Sequence, residues 1–114
     1  MNVFVSGPYG DHNPDHVIAA NVARADEAAK QLVLAGHVPF CPHKMMEGWQ
    51  TDERLREEHW LRVGLAFLGD FAQAVLRLPG DSHGADQEVS LALHRYGLPV
   101  YYRVEDVGQP GGKP

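Results

Sequence analysis

The amino-acid sequence predicts an α/β fold of the Rossmann or flavodoxin-like kind, a three-layer sandwich with a parallel sheet of four to five strands. Short runs of β-branched and aromatic residues alternate with longer segments in which apolar residues recur at helical spacing. The strand-like runs are largely apolar, which is typical of parallel strands covered on both faces. No internal repeat or linker divides the chain, so we expect one domain over residues 1–107.

The first strand and the first helix have the clearest signals. Residues 2–6 (NVFVS) form a β-branched run that stops at Gly7-Pro8. We expect Asn13 to cap the following helix and Pro14 to occupy its first position. The apolar residues that predict this helix recur at helical spacing and are Val17, Ile18, Val22, Ala25, Ala28, Ala29, Leu32 and Val33.

The rest of the chain alternates between weaker strands and further helices. Pro39 moves the second strand toward an edge of the sheet, and the Gly/Pro-rich residues 108–114 are expected to form a disordered tail. In chain order, the predicted elements are a strand over residues 37–41, a loop over 42–50, a helix capped by Thr51 or Asp52 and running to Leu68, a strand over 74–78, a helix over 83–96 and a strand over 99–103.

Composition narrows the classes of partner. The 114 residues carry a formal net charge of −5 without a basic cluster, which argues against nucleic acid. Cys41 is the single cysteine, so no intrachain disulfide can form, in keeping with a reducing cytoplasm. The start of the chain lacks a signal-peptide pattern, and no apolar run approaches the ~20 residues that span a bilayer. We therefore expect a cytoplasmic protein with no membrane partner.

The carboxyl ends of the strands direct attention to two loops, because ligands of parallel α/β folds bind there. After the first strand, the glycines of Gly7-Pro8-Tyr9-Gly10 allow a ligand to approach the backbone. The spacing matches neither a dinucleotide fingerprint nor a P-loop. A plain strand-to-helix turn with a surface tyrosine remains an equal interpretation of this segment.

The second loop, after the third strand, leads into a helix that carries Glu88. Ser82 and Gly84 are expected in the loop above the sheet, and Glu88 in the first turns of the helix. The positive end of the helix would favour an ionised carboxylate, which suits nucleophilic attack on an electrophilic sugar carbon. The alternative is that acidic residues simply favour first helical turns.

Histidines and tryptophans offer weaker signals. His12 and His16 stand four residues apart, but Asn13-Pro14 falls between them at the helix start, so we expect no metal site and no cofactor. Trp49 lies in a predicted loop, where its ring could stack on a base. Trp60 is expected in the core.

Three segments together resemble a known family: VFVSGPYG, GHVPFCPH and GDFAQAVLRLPGDSHGADQEVSLA. They are similar to compact members of the nucleoside 2-deoxyribosyltransferase superfamily, which cleave or exchange N-glycosidic bonds. The resemblance covers residues 2–103 and implies that Glu88, in Ser-x-Gly-x-x-x-Glu, is the nucleophile. It also implies that Tyr9 lies beside the nucleophile, that Ser82 and Gly84 line the sugar or 5′-phosphate pocket, and that Asp70 lies in a structural turn. Gly7 and Pro8 of the first loop are further candidate substrate-binding residues. The loop from His43 to Gln50, which includes Trp49, is expected to help set base preference.

The resemblance further implies a two-step mechanism, and this sequence differs from the family pattern at one position. Glu88 would attack C1′ through an oxocarbenium-like transition state, and water or a second base would release the glycosyl-enzyme. Family members often carry an aspartate, a candidate acid, at the position of Gly64. The substitute acids left open are Asp52, Glu57, Glu58 and Asp86.

Three functions follow from these observations. The leading one is a nucleoside or nucleotide deoxyribosyltransferase or N-hydrolase. The second is an inactive nucleotide-binding or sensing module, which the loss of the aspartate favours, and the third is an interaction domain that keeps only the fold. Superfamily members often complete each site with a neighbouring subunit, so we expect a homodimer or a higher symmetric oligomer.

Overall fold

Four parallel strands form the sheet, in the spatial order β2-β1-β3-β4. The computed structural model describes residues 1–10 and 13–109. The predicted α/β fold class is confirmed. Four to five strands were expected, and the sheet has four. The strands are β1 (Asn2–Ser6), β2 (Val38–Phe40), β3 (Ala74–Arg77) and β4 (Val100–Tyr101).

Helices connect successive strands and cover both faces of the sheet. They are α1 (Asp15–Leu34), α2 (Pro42–Met45), α3 (Glu57–Ala66) and α4 (His83–His94). Helix α3 continues without a break into a π-helical turn over Phe67–Phe71, and 3₁₀ turns lie at Trp49–Thr51 and Val104–Asp106. In the described part of the chain, no helix combines the length and apolarity needed to cross a membrane.

The alternation of side chains along the strands produces one apolar cluster on each face of the sheet. Val3 and Val5 of β1 pack with α1, whereas Phe4 packs with residues of α4 and the π-helical turn. Ser6 follows the same alternation as Phe4, so its side chain lies on the α4 face. This placement matters because it directs the last side chain of the central strand toward α4.

Two predicted helix starts are wrong. Asn13 does not cap α1, because the cap position belongs to Pro14, which makes no side-chain cap hydrogen bond. Helix α3 begins at Glu57, not near residue 52, because the Asp52 carboxylate accepts hydrogen bonds from the backbone and guanidinium of Arg54. Local side-chain bonds of this kind compete with the helical pattern.

The predicted tail is partly ordered. The backbone amide of Gln109 donates to the carbonyl of Asp106 at 3.0 Å, and the hydroxyl of Tyr101 donates to the carbonyl of Gln109 at 3.4 Å. Residues 110–114, the rest of that predicted tail, lie outside the described residues, as does His12. The packed fold therefore extends at least through residue 109.

Candidate active site

The two central strands end side by side at the ligand-binding edge of the sheet. Ser6, the last residue of β1, pairs in register with Arg77, the last residue of β3. The two residues are buried, with exposed fractions of 0% and 9%. The edge at which α/β folds bind ligands therefore carries a buried hydroxyl next to a buried cation.

The loops that follow these strands are packed directly against each other. A β-carbon on Gly7 would lie 2.8 Å from Cβ of Leu78, and one on Gly80 would lie 2.8 Å from Cγ of Pro8. Gly80 also has a φ of +115°, a conformation that other residues rarely adopt. Both glycines are thus required by a close approach of the two loops, which holds the edge of the sheet in a fixed shape.

Helix α4 carries Glu88 to this edge. Ser82 caps the helix, since its hydroxyl accepts a hydrogen bond from the backbone amide of Ala85 at 3.1 Å. Glu88 lies one turn further along, is half-buried, and accepts a hydrogen bond from the Ser6 hydroxyl at 2.7 Å between Oγ and Oε1. Residues 82 positions apart in the chain thus form one polar contact at the end of the central strand.

The protonation of Glu88 differs from the expectation. Burial raises the pKa of Glu88 to about 7, although the hydrogen bond from Ser6 and the positive charge of Arg77 act to lower it. The sequence favoured an ionised carboxylate because of the helix terminus, and desolvation outweighs that influence. At neutral pH the side chain is divided between acid and carboxylate, so it is able to accept or give up a proton in that range.

Arg77 organises the loop after β3. Its guanidinium donates to the carbonyl oxygens of Leu78 and Gly80, the latter at 2.9 Å, and to Oδ1 of Asp86 at 3.0 Å. The Asp86 side chain is 71% exposed, so the cation is buried while its ionic partner faces solvent. The buried charge of Arg77 holds the loop and contributes a positive potential at Glu88.

Sequence reasoning missed both Ser6 and Arg77 as members of the site. A signal was available: each is a polar residue at or next to the end of a largely apolar strand-like run and is followed by a Gly- or Pro-containing loop. In a parallel sheet that position is at the ligand-binding edge.

Tyr9 fastens the loop after β1 to the segment after β2. Its hydroxyl donates to Oε1 of Gln50 at 2.8 Å and accepts from the backbone amide of Gly48 at 3.2 Å, and the carbonyl oxygen of Met46 lies 3.4 Å from it. The hydroxyl is therefore engaged with residues 46–50. No hydrogen bond joins it to Glu88 within the described part of the chain.

His43, in α2, also holds the loop after β1 in place. It is 4% exposed, and its Nε2 lies 2.9 Å from the carbonyl oxygen of Pro8 and 3.2 Å from that of Gly7. Two carbonyl acceptors require a proton on Nε2, and the buried Nδ1 has no hydrogen-bond partner among the described residues. Burial lowers the pKa of His43, and the two carbonyls only partly oppose this effect. The residue is neutral at pH 7 and orients the first loop.

The remaining residues singled out in the sequence differ in their surroundings. Among residues 1–10 and 13–109, a β-carbon on Gly84 or Gly64 would have no neighbour within 4 Å, so these residues leave space at both positions. Trp49 is half-buried and packs against the apolar cluster on the α4 face, as Trp60 does. Asp70 lies exposed in the π-helical turn.

Ion pairs distinguish the four candidates for the acid that would protonate the departing base. Asp52 is bound by Arg54, which lowers the pKa of Asp52 to about 2 and makes it a poor proton donor near neutral pH. Asp86 is paired with Arg77. Glu57 and Glu58 line a depression of about 530 Å³ that also contains His83 and Gln87 of α4.

A metal ion has no evident position in the part of the structure described. His16 is exposed, and no group of three or more histidine, cysteine, aspartate or glutamate side chains with suitable geometry lies within residues 1–10 and 13–109. The chemistry that the site offers is that of a carboxyl group beside a hydroxyl and a buried cation.

Together, the fold and the site define an α/β domain with a half-buried carboxyl group at the ligand-binding edge of a parallel sheet. Residues 1–103 match a family described as a domain of unknown function, DUF7768, and the chain belongs to that family. No curated protein sequence matches the chain. The family description states no activity, so the resemblance to deoxyribosyltransferases remains a prediction.

Proposed function

We propose that this protein is an enzyme that cleaves or transfers the N-glycosidic bond of a nucleoside or nucleotide, with Glu88 as the nucleophile. The observation that carries the proposal is the hydrogen bond between Glu88 and Ser6 at the carboxyl edge of the central strands. A half-buried carboxyl group at that edge costs free energy because desolvation disfavours its charge, and groups with pKa values shifted in this way are concentrated at functional sites.

The neighbouring loops supply the surroundings that such a reaction needs. The first loop is fixed by Tyr9 and His43, and Gly84 leaves an open position on the first turn of α4. An N-terminal helical turn with free space suits an anionic or hydroxyl-rich group such as a sugar or its 5′-phosphate. Glu57 or Glu58 is the proposed donor of the proton to the departing base, since both line the depression beside α4.

A second function, nucleotide binding without turnover, is favoured by Gly64. The residue is buried within α3, and no atom of the described residues outside that stretch of helix lies within 4 Å of the place that a β-carbon would occupy. The resemblance implies an acid at that position. A chain that lost the acid could keep the pocket and serve as a sensing module.

The decisive experiment is a turnover assay with matched variants. Purified protein is incubated with deoxynucleosides, ribonucleosides and their 5′-monophosphates, with and without a second free base, and base release or exchange is followed by chromatography. We expect turnover in the wild type and its loss in both Glu88→Ala and the isosteric Glu88→Gln. A need for a second base identifies a transferase, and its absence a hydrolase.

Two results would contradict the proposal. Turnover that persists in Glu88→Gln would exclude this residue as the nucleophile. No turnover, together with thermal stabilisation by a nucleotide, would support the binding module, and Gly64→Asp is then the variant in which activity is sought.

The proposed setting is a cytoplasmic homodimer or higher symmetric oligomer that acts on a small molecule and binds no nucleic acid. Sedimentation at micromolar concentration tests the assembly, and a monomeric mass there would contradict it. A DNA- and RNA-binding assay at low salt tests the second statement.

A further inference from the structure

The two carboxylate oxygens of Glu88 have different surroundings. Oε1 accepts the hydrogen bond from Ser6, whereas Oε2 accepts none from the residues described. Oε2 is also not fully buried, since within that part of the chain the fully buried side-chain polar atom left without a partner is Nδ1 of His43. One oxygen is therefore held by the protein, and the other is free to meet a ligand.

The position of the Ser6 hydroxyl is set by the sheet. Ser6 is completely buried, its carbonyl accepts a hydrogen bond from the amide of Leu78 at 2.7 Å, and its Cα is paired with that of Arg77. A central strand is the most rigid part of such a fold. The hydroxyl is thus a fixed reference point, against which the side chain of Glu88 is aligned.

We propose that Ser6 is a positioning residue for Glu88: its hydroxyl holds Oε1 and so makes Oε2 the atom that attacks C1′. This inference rests on the proposed function, and it concerns how the nucleophile is oriented. In the first step, a bond forms between Oε2 and C1′ while the bond from C1′ to the base nitrogen breaks. The electron pair passes to that nitrogen, which takes up a proton from an acid or from solvent.

The same hydrogen bond assists the second step. In the glycosyl-enzyme, Oε1 is the carbonyl oxygen of an ester, and the Ser6 hydroxyl still donates to it. Water, or the nitrogen of a second base, then forms a bond to C1′ and loses a proton to solvent. The bond between Oε2 and C1′ breaks, and its electron pair returns to the carboxylate. Charge on Oε1 grows in this step, so the hydrogen bond strengthens as the ester departs.

Other charged groups near Glu88 do not duplicate this role. Arg77 faces it from β3, but its guanidinium hydrogen bonds are made to Leu78, Gly80 and Asp86. From α3, Glu57 and Glu58 line a depression bounded on α4 by His83 and Gln87. Ser6 is the residue that donates directly to the carboxylate within the described structure.

The inference is tested by following the protonation of Glu88 directly. The carboxyl carbon of Glu88 is titrated by ¹³C NMR in the wild type, Ser6→Ala and Ser6→Thr, with Glu88→Gln to assign the signal. Loss of a hydrogen bond to the charged form is expected to raise the pKa of Glu88 by about 1 in Ser6→Ala. Ser6→Thr keeps the hydroxyl and is expected to restore the wild-type value. An unchanged pKa in a folded Ser6→Ala would overturn the proposal.

Kinetics give a second readout that a merely structural residue would not move. In Ser6→Ala the acid limb of the pH profile of kcat/KM should move upward with the pKa of Glu88. Activity at pH 7 then falls by about fivefold, while much of it returns at pH 9. Ser6→Cys, of similar size, serves if Ser6→Ala fails to fold. A uniform loss of activity at all pH values would contradict a positioning role.

The two proposals fail in different ways. If the wild type turns over no substrate, the N-glycosidic function is rejected, and the NMR titration still decides whether Ser6 controls Glu88. If Glu88→Gln is inactive but Ser6→Ala has the wild-type pH profile and pKa, the proposed function stands and the role of Ser6 is rejected.

Discussion

Replacement of Glu88 by glutamine should stabilise the protein in a pH-dependent way. The carboxyl group has a pKa of about 7 in the fold, against a usual value of 4.5. The folded state therefore binds the proton more tightly than the unfolded state does, and the wild type loses stability as pH rises from about 4.5 to about 7. At about 1.4 kcal/mol for each pKa unit, the loss reaches about 3 kcal/mol above pH 7.

Glu88→Gln removes this loss because glutamine carries no charge and its oxygen still accepts from the Ser6 hydroxyl. Urea unfolding is measured for both proteins at pH 4 and pH 8. The two free energies of unfolding should be similar at pH 4, and the variant should be the more stable by about 3 kcal/mol at pH 8. Glu53→Gln, at an exposed position, is the matched control, with an expected change below about 0.5 kcal/mol. Equal stabilities of wild type and Glu88→Gln at pH 8 would refute the reasoning.

Three further substitutions test the packing and the first loop. Gly64→Ala should raise the free energy of unfolding by up to about 1 kcal/mol, as measured by thermal unfolding, because alanine favours a helix interior and the new methyl meets no described residue of another element within 4 Å. Gly7→Ala should lower stability by about 1–3 kcal/mol, since its methyl would lie 2.8 Å from Cβ of Leu78, and an unchanged melting temperature would contradict the close packing of the loops. His43→Gln should gain stability relative to the wild type as pH falls below about 6.5, because the buried imidazole resists protonation in the fold; parallel curves for the two proteins would contradict a neutral His43.

The elements with a regular apolar pattern could be predicted from the sequence. The apolar run of β1 and the helical spacing of α1 predicted both elements, because burial on two faces of a sheet or on one face of a helix leaves a regular pattern. The start of α3 was not accessible. It depends on the competition between a helical turn and the side-chain bonds that Asp52 makes with Arg54, and spacing alone does not reveal which of these prevails.

The candidate site was predicted in part. The place of Glu88 early in a helix after a strand made it a candidate, and the family resemblance singled it out; the structure puts it at the expected edge. Its partner Ser6 lies 82 residues away, and no local pattern joins the two. The direction of the pKa shift of Glu88 was also predicted wrongly, because desolvation depends on residues that are distant in the chain and pack around the carboxyl group. The helix terminus was the one influence on this pKa that the sequence showed.

The contact between Ser6 and Glu88 has a consequence for how the protein can be divided. Because β1 lies between β2 and β3, its two neighbours come from opposite halves of the chain. A truncation that ends before α4 would retain the loops of Tyr9 and His43 but leave the end of β1 facing solvent. A split of the gene between α3 and β3 would place the hydroxyl and the carboxyl group on separate pieces. Reassembly of two such fragments would then be detected as the return of the raised pKa of Glu88.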